Sequence, residues 1–497
     1  MNFVRACDER DANYLENLLA VTKAELELVN EFGIENTFLL QYDALCDERY
    51  VSLFKENATD KTELGLWMEI VKPQTDACGL PYESQNGWKW DWHILPGLPM
   101  GYSPEQRGLL ADEAMRKFKE VFGYFPKTVG GWLIDTVTAR YLSENYDIDA
   151  FCICRDQINT DAYTLVGGYF NGAYYPSVNN IFTPAQSAAM QMKTPVFRLL
   201  TPCPIHNYDG NKLLPARSKK EFGNVFTMEP VWEMGKDENC VDWLLKTYFD
   251  NENLGFSAIQ IGQENSFTDI DFLPALRMQL EKAKQYEQAG KAVFMKYGDT
   301  GRYFKQTYPA TPATAVSALD SWTTADLQSV YYDCKNYAAN IFRNGKEVFI
   351  RAFYLFDETR EDYYLHSPCT RFDAVYENVP LVDTVLWQKG KSDRIGLVVD
   401  TAGIAFRAQK TGAHELTVCW GDKSVVFCET GISINNCSPV FFFPGNPTGA
   451  LDNIDGFWRY ECGGRFYHLA VEYGVAEQTN YGFRIFGDKI KLKPAIG

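Results

Sequence analysis

No window of the sequence approaches the roughly 18 to 20 uninterrupted apolar residues of a membrane span, and its first residues, MNFVRACDERD, lack the apolar core of a signal peptide. A soluble, cytoplasmic chain is expected, unless an export signal has been removed. Histidine is scarce: His93, His206, His366, His414 and His468 are dispersed, with no H-x-x-x-H or H-x-x-E-H spacing. That disfavours a histidine-rich metal centre, and no metal or other cofactor is called for. Positive charge is also short, with 48 Lys and Arg against 65 Asp and Glu and a formal charge of −17. Such a field opposes phosphate backbones and anionic membranes, so neither nucleic acid nor a membrane is an expected partner. The thirteen cysteines are odd in number and scattered, and they read as reduced thiols, several in apolar strands. Cys152 and Cys154 form the one close pair, on one face of a strand. No repeat of constant period and no low-complexity tract is present.

What the sequence does have is length, apolar content and aromatic rings. With 497 residues, 46% of them hydrophobic, it can build two or three domains with proper cores. Aromatics make up 15%, including 29 Tyr and 11 Trp, and many sit in polar stretches such as GWKWDWH at 87–93. Flat rings pair with the C–H faces of sugars while polar neighbours take the hydroxyls, although a large β-rich core also uses aromatics.

Up to about residue 310, short β-type runs alternate with segments of helical period, the pattern of βα units around a parallel sheet. Eight runs are read: NFVRAC (2–7), TFLLQY (37–42), LGLWMEI (64–70), TVGGWLI (128–134), AFCIC (150–154), VFRLL (196–200), SAIQIG (257–262) and VFMKY (293–297). Eight closes a barrel. The helices carry their own punctuation: a leucine-rich stripe over 15–29 ends at Gly33, and Ser103, Pro104 and Gln106 spell a capping box before a helix stopped by Gly123. From Ser329 onward only alternating runs with turn signals appear, such as EVFIRAFYLF and HELTVCW. The expected fold is therefore a (β/α)8-like barrel, TIM-type with seven or eight strands, over residues 1–312, followed by an all-β, sandwich-like region over 313–497.

In such a barrel the strand ends converge on one face, so the residues that end each run are the candidates for chemistry. Most of these ends carry a carboxylate, among them Asp8, Asp43, Glu69, Asp135, Asp156, Glu264 and Asp299. Clustered carboxylates repel, which raises the pKa of one while its partner stays ionised, as hydrolysis of a glycosidic bond requires. Glu264, in IQIGQENSF, ranks first as the catalytic carboxylate, followed by Asp135 in GGWLID, Glu69 in LWMEI and Asp43 in LLQYD. His93, beside Asp91 in WDWH, is a candidate proton carrier, weighed equally against a structural role.

Candidate substrate-binding residues complete the set. Gln41, Asn265, Arg10 and Arg155 could bond hydroxyls or a sugar carboxylate, and Trp67, Trp90 and Trp132 could be platforms. Two long insertions follow the third and fifth runs, 72–102 and 156–194, and loops of that length are usually functional. The second offers Asp156, Gln157, Asp161, Tyr169, Asn171 and Tyr175, a mixture that suits either a polyhydroxyl ligand or an ordered loop satisfying its own backbone.

FGYFPKTVGGWLID, followed by FCICRDQ and a loop rich in Tyr, Asn and Gly, resembles the barrel of uncharacterised bacterial proteins related to glycoside hydrolases and polysaccharide deacetylases, over roughly residues 1–312. The resemblance implies a carbohydrate substrate. The Asp-Asp pair on the first strand and the H-x-x-x-H motif of the deacetylases are both missing, as is the H-x-H motif of family 57 glycoside hydrolases. A metal-independent glycoside hydrolase is the leading expectation. Alternatives are a sialidase-type hydrolase using Asp43 or Asp8, His93, and Arg10 or Arg155, a carbohydrate deacetylase with a carboxylate-held metal and His93, and a non-catalytic glycan-binding protein. Further copies of the chain, in a homo-oligomer, are the one protein partner left open.

Overall fold

The computed structural model describes residues 1–158, 162–207, 226–267, 270–323, 326–384, 396–401, 404–443, 457–480 and 482–496. Asp161 lies outside them. Six of the expected runs form parallel strands of one sheet: β1 (Asn2–Val4), β2 (Asn36–Leu40), β3 (Thr62–Trp67), β4 (Thr128–Gly130), β5 (Ala150–Cys154) and, beyond the antiparallel β6 (Ala173–Tyr174), β7 (Val196–Leu199). Their order in the sheet is β1-β2-β3-β4-β5-β7-β6. Close approach is built in at Gly130, where a Cβ would lie 2.4 Å from Cys152 Sγ and 2.6 Å from Leu39 Cδ1.

The connecting helices begin and end where their caps dictate. Helix α1 (Tyr14–Phe32) stops at Gly33 in the left-handed region, φ 59°. Helix α2 (Pro104–Phe122) starts on the expected box, with Ser103 Oγ accepting from Gln106 N and Gln106 Oε1 accepting from Ser103 N, and stops at Gly123. Helix α3 (Thr136–Asn145) is N-capped by Asp135.

The expectation of eight strands is corrected at its last two members. Residues 257–262 are extended but form no strand, and 292–296 are irregular and lead into helix α4 (Tyr297–Thr307). The reason is that side chains, not a ladder, satisfy these segments. Lys296 N, Tyr297 N and Gly298 N donate to Glu35, Thr37 and Glu63 beneath the starts of β2 and β3. On the other segment, Leu200 N donates to the side chain of Gln260 (2.9 Å), and Gln260 N to Thr201 Oγ1 (2.8 Å). Only at its far end does that segment meet β1, through a parallel bridge between Phe3 and Glu264. Gly262 makes this approach, at φ +147°, where a Cβ would lie 1.8 Å from Met1 O. The segment thus touches the chain just past β7 through side-chain bonds and β1 through a single bridge, with no continuous ladder between them. Asp299, expected at a strand end, lies instead in the first turn of α4 and pairs with Arg302.

From Thr314 onward the described strands, apart from Ala374–Glu377, are antiparallel and lie in a nine-stranded and a seven-stranded sheet. Tyr332, Ile341 and Phe353 of the first share one buried cluster with Trp420, Phe427 and Leu492 of the second. This region is not insulated from the parallel sheet. Ala374–Glu377 pairs in parallel with Tyr163–Val166 of the second insertion, and the buried Arg107 of α2 donates to the carbonyls of Tyr364 and Ser367. Among the described residues no helix is long and apolar enough to cross a membrane.

Candidate active site

The centre of the strand-end face is Arg5, directly after β1. It is 2% exposed, and a buried guanidinium must be paired. Its Nη2 donates to Glu264 (3.0 Å) and Glu69 (3.4 Å), while its Nη1 lies 4.0 Å from Asp8. Burial alone would weaken the Arg5 charge, but the carboxylates of Glu264, Glu69, Asp8 and Asp43 outweigh it and hold the guanidinium more firmly protonated. Two residues before Arg5 and Glu69 stand Phe3 and Trp67, whose rings stack at 4.2 Å, with Trp132 edge-on to both. Strand alternation therefore lays an aromatic floor under the charged layer.

Glu264 and Glu69, two of the expected carboxylates, are brought together on the same Arg5 nitrogen. Burial pushes Glu69 above the ordinary carboxylate range, against the pull of Arg5 and with help from the Glu264 charge. The first insertion reaches over this pair. Trp90 Nε1 donates to Glu69 (2.8 Å), and the guanidiniums of Arg5 and Arg10 lie 4.0 and 4.8 Å from its ring. Arg10 forks onto both oxygens of Asp8. Gln41, at the end of β2, is buried with neither amide atom partnered among the described residues. Asn265, expected on a sugar hydroxyl, is spent on the protein: it accepts from Arg5 N (3.0 Å) and donates to Arg5 O (2.8 Å). It fixes the backbone that presents the guanidinium.

Asp43 lies beside the cluster, accepting from Ala6 N (3.1 Å) and Ala44 N (2.9 Å). Burial pushes it up to about 7, against those hydrogen bonds and Arg5. Folded Asp43 thus keeps its proton to about pH 7, whereas the unfolded chain releases it near ~3.9. The folded state binds more protons in that window, so stability falls as pH rises from about 4 to 7, by about 4 kcal/mol for this group. Asp43→Asn is expected to flatten the dependence of the urea midpoint on pH in that range; an unchanged profile would show that Asp43 is ionised throughout.

The remaining candidates fall elsewhere. Asp135 is completely buried and occupied, accepting from Val137 N, Thr138 N and Thr138 Oγ1 and pairing with Arg107 (2.9 Å). Asp156 accepts from Gly167 N and Gly168 N and pairs with Arg198, holding the turn of the second insertion. Arg155 donates to Asp156 O and Asn207, and Gln157 pairs along a short strand with Leu165. Tyr169 bonds Pro312 O, Tyr175 bonds Tyr308 O and Asn171 bonds Ser257. The two tyrosines tie the insertion to the chain leading into the β region, and Asn171 ties it to the 257–262 segment. His93 Nδ1 sits 2.6 Å from Asp91 Oδ1. Burial works against the Asp91 charge, but bonds from His93, its backbone and Ser84 prevail and hold the carboxyl below its ordinary range.

Two residues of the face were missed from sequence. Arg5 stood in plain view as a charge inside the apolar run NFVRAC. Glu229 lay in no predicted run; it accepts from Thr227 Oγ1 and Trp232 Nε1, and burial pushes it up to about 7, the Glu264 charge adding to the effect. A cavity of about 800 Å³ opens away from this cluster, lined by Phe256, Gln260 and Tyr303 among others; of the predicted site residues only Asn171 reaches it. The paired carboxylates lie in the charged layer, whereas Glu35 is the one carboxylate among the residues that line the cavity.

No protein-family model and no curated protein matches the chain. Among solved structures it is similar to a Parabacteroides distasonis protein provisionally described as a glycoside hydrolase/deacetylase, at 15% identity over 75% of this chain and 85% of that one, with a TM-score of 0.53. The likeness is one of fold. It meets the resemblance read from FGYFPKTVGGWLID at that level. A Pseudomonas aeruginosa PAO1 protein provisionally described as a polysaccharide deacetylase aligns at 14% identity over 61% of this chain and 78% of that one, with a TM-score of 0.36.

Proposed function

We propose that the protein is a metal-independent glycoside hydrolase in which Glu69 is the general acid and Glu264 the nucleophile. The observation that carries this reading is the pair of carboxylates on one arginine nitrogen, at 3.0 and 3.4 Å. The sum of those contacts caps the distance between the two bonded oxygens just below the ~6.5 Å at which pairs begin to leave room for an attacking water. This geometry favours a covalent glycosyl-enzyme and retention of configuration. Glu69, with its raised pKa, protonates the leaving oxygen; Glu264 attacks the anomeric carbon; Glu69 then takes a proton from the water that releases the sugar. Arg5 positions both carboxylates. The sialidase-type assignment has less support, because His93 pairs with Asp91 and Arg10 is committed to Asp8.

The deacetylase reading rests on the fold likeness and on the name given to the Parabacteroides protein. A divalent metal fits poorly: among the described residues no three His, Cys, Asp or Glu side chains are grouped to hold one, and a guanidinium fills the centre of the carboxylates. The test uses the full chain and its Glu264→Gln and Glu69→Gln variants on aryl glycosides and acetylated oligosaccharides. Sugar release falling about 100-fold or more in both variants and insensitive to EDTA is expected. Unchanged release by Glu264→Gln, or acetate release abolished by EDTA, would overturn the assignment.

A further inference from the structure

The first insertion and the β region meet beside the charged layer, and what they present there is a line of rings. Trp88 and Trp92 lie 5.6 Å apart, Trp92 stacks on His93 at 5.0 Å, and His93 meets Phe372 edge-on at 5.7 Å. Trp90, which touches Arg5, lies 6.2 Å from Trp92 and connects the line to the catalytic pair. Phe372 is 41% exposed, and Trp88, Trp92 and His93 are each partly exposed. Phe372 is held in place: its O accepts from Ile94 N (3.1 Å), and Cys369 N donates to Met100 O (2.7 Å). The line is therefore built from two distant parts of the chain and fixed by backbone bonds.

We infer that this line is a run of glycan subsites, so that the substrate is a chain of several sugars and not a monosaccharide glycoside; this deepens the hydrolase reading and rests on it. The chemistry of the surface selects the occupant. Rings alternate with hydrogen-bonding groups, Lys89 and Arg10 among them, whereas a lipid or an apolar helix would need an unbroken apolar face. Sugars present apolar C–H faces and hydroxyl edges in the same alternation. Phe372 would hold a unit remote from the scissile bond, where binding energy can position the reacting unit over Glu264.

The experiment uses the full chain, Phe372→Ala and Trp92→Ala, with thermal melts to establish folding. Binding is measured calorimetrically with hexasaccharides of β-1,4-glucose, β-1,4-xylose, β-1,4-N-acetylglucosamine and α-1,4-glucose and with the matching monosaccharides. At least one hexasaccharide is expected to bind the parent, its monosaccharide about tenfold more weakly or not at all, and Phe372→Ala about threefold to tenfold more weakly than the parent. No binding of any hexasaccharide, equal binding of mono- and hexasaccharide, or unchanged affinity of a folded Phe372→Ala would overturn the inference. Failure of the hydrolase reading shows separately, as aryl glycosides untouched by the parent while length-dependent binding persists.

Discussion

Asp135→Ala is expected to lower the unfolding free energy by about 3–5 kcal/mol, because it leaves the Arg107 guanidinium buried without its counter-charge. Both side chains are fully shielded from solvent. The same carboxylate caps α3, and loss of a cap adds about 1 kcal/mol. Asp135→Asn keeps an oxygen for the cap while weakening the pair, so it should fall between the parent and the alanine variant. Urea denaturation at neutral pH measures both. A loss under 1 kcal/mol for Asp135→Ala would mean that its contacts contribute little to stability.

Arg5→Met is expected to cost a similar amount at neutral pH, about 3–5 kcal/mol, and to do so in a pH-dependent way. Methionine fills much of the space but leaves Glu69 and Glu264 buried without a cation. In the variant Glu69, already pushed up by burial, loses the pull of Arg5 and should hold its proton to higher pH than in the unfolded chain, so the folded state becomes the better proton binder. Its stability then declines as pH rises from about 4 towards 7, and the deficit relative to the parent grows over that range. Urea midpoints at pH 4.5 and 7.5 distinguish the outcomes: a deficit several-fold smaller at the lower pH is expected, and an equal deficit at both would mean that the arginine matters for packing alone.

The local rules were legible where one segment decides its own structure. The Ser103–Gln106 box, the glycines at 33 and 123 and six of the strands follow from propensity and period, which depend on near neighbours. The runs at 257–262 and 293–297 have the same apolar pattern and formed no strand, because Gln260, Glu35, Thr37 and Glu63 supplied bonds a neighbouring strand would have made. No period in the sequence records that competition. For the candidate site, alternation along β1 and β3 was enough to bring Glu69 into the face, and Glu264 was found by its position after an apolar run. Their shared cation was overlooked, since attention to strand ends passes over a charge placed one step past the last ladder bond. The roles of Asp135 and Asn265 depend on Arg107 and Arg5, and only the folded chain names those partners.

The reach of residues 362–377 back to α2, α3 and the second insertion bears on how the protein is made. A nascent chain that has delivered its first three hundred residues already holds every strand of the β1–β7 sheet, yet lacks Asp362 for Thr136, the two carbonyls for Arg107 and the strand that lies beside Tyr163–Val166. The packing around α2, α3 and the second insertion cannot be finished on the ribosome until residues up to Glu377 have emerged, so the aromatic line, which needs Phe372, is completed as a late event of synthesis.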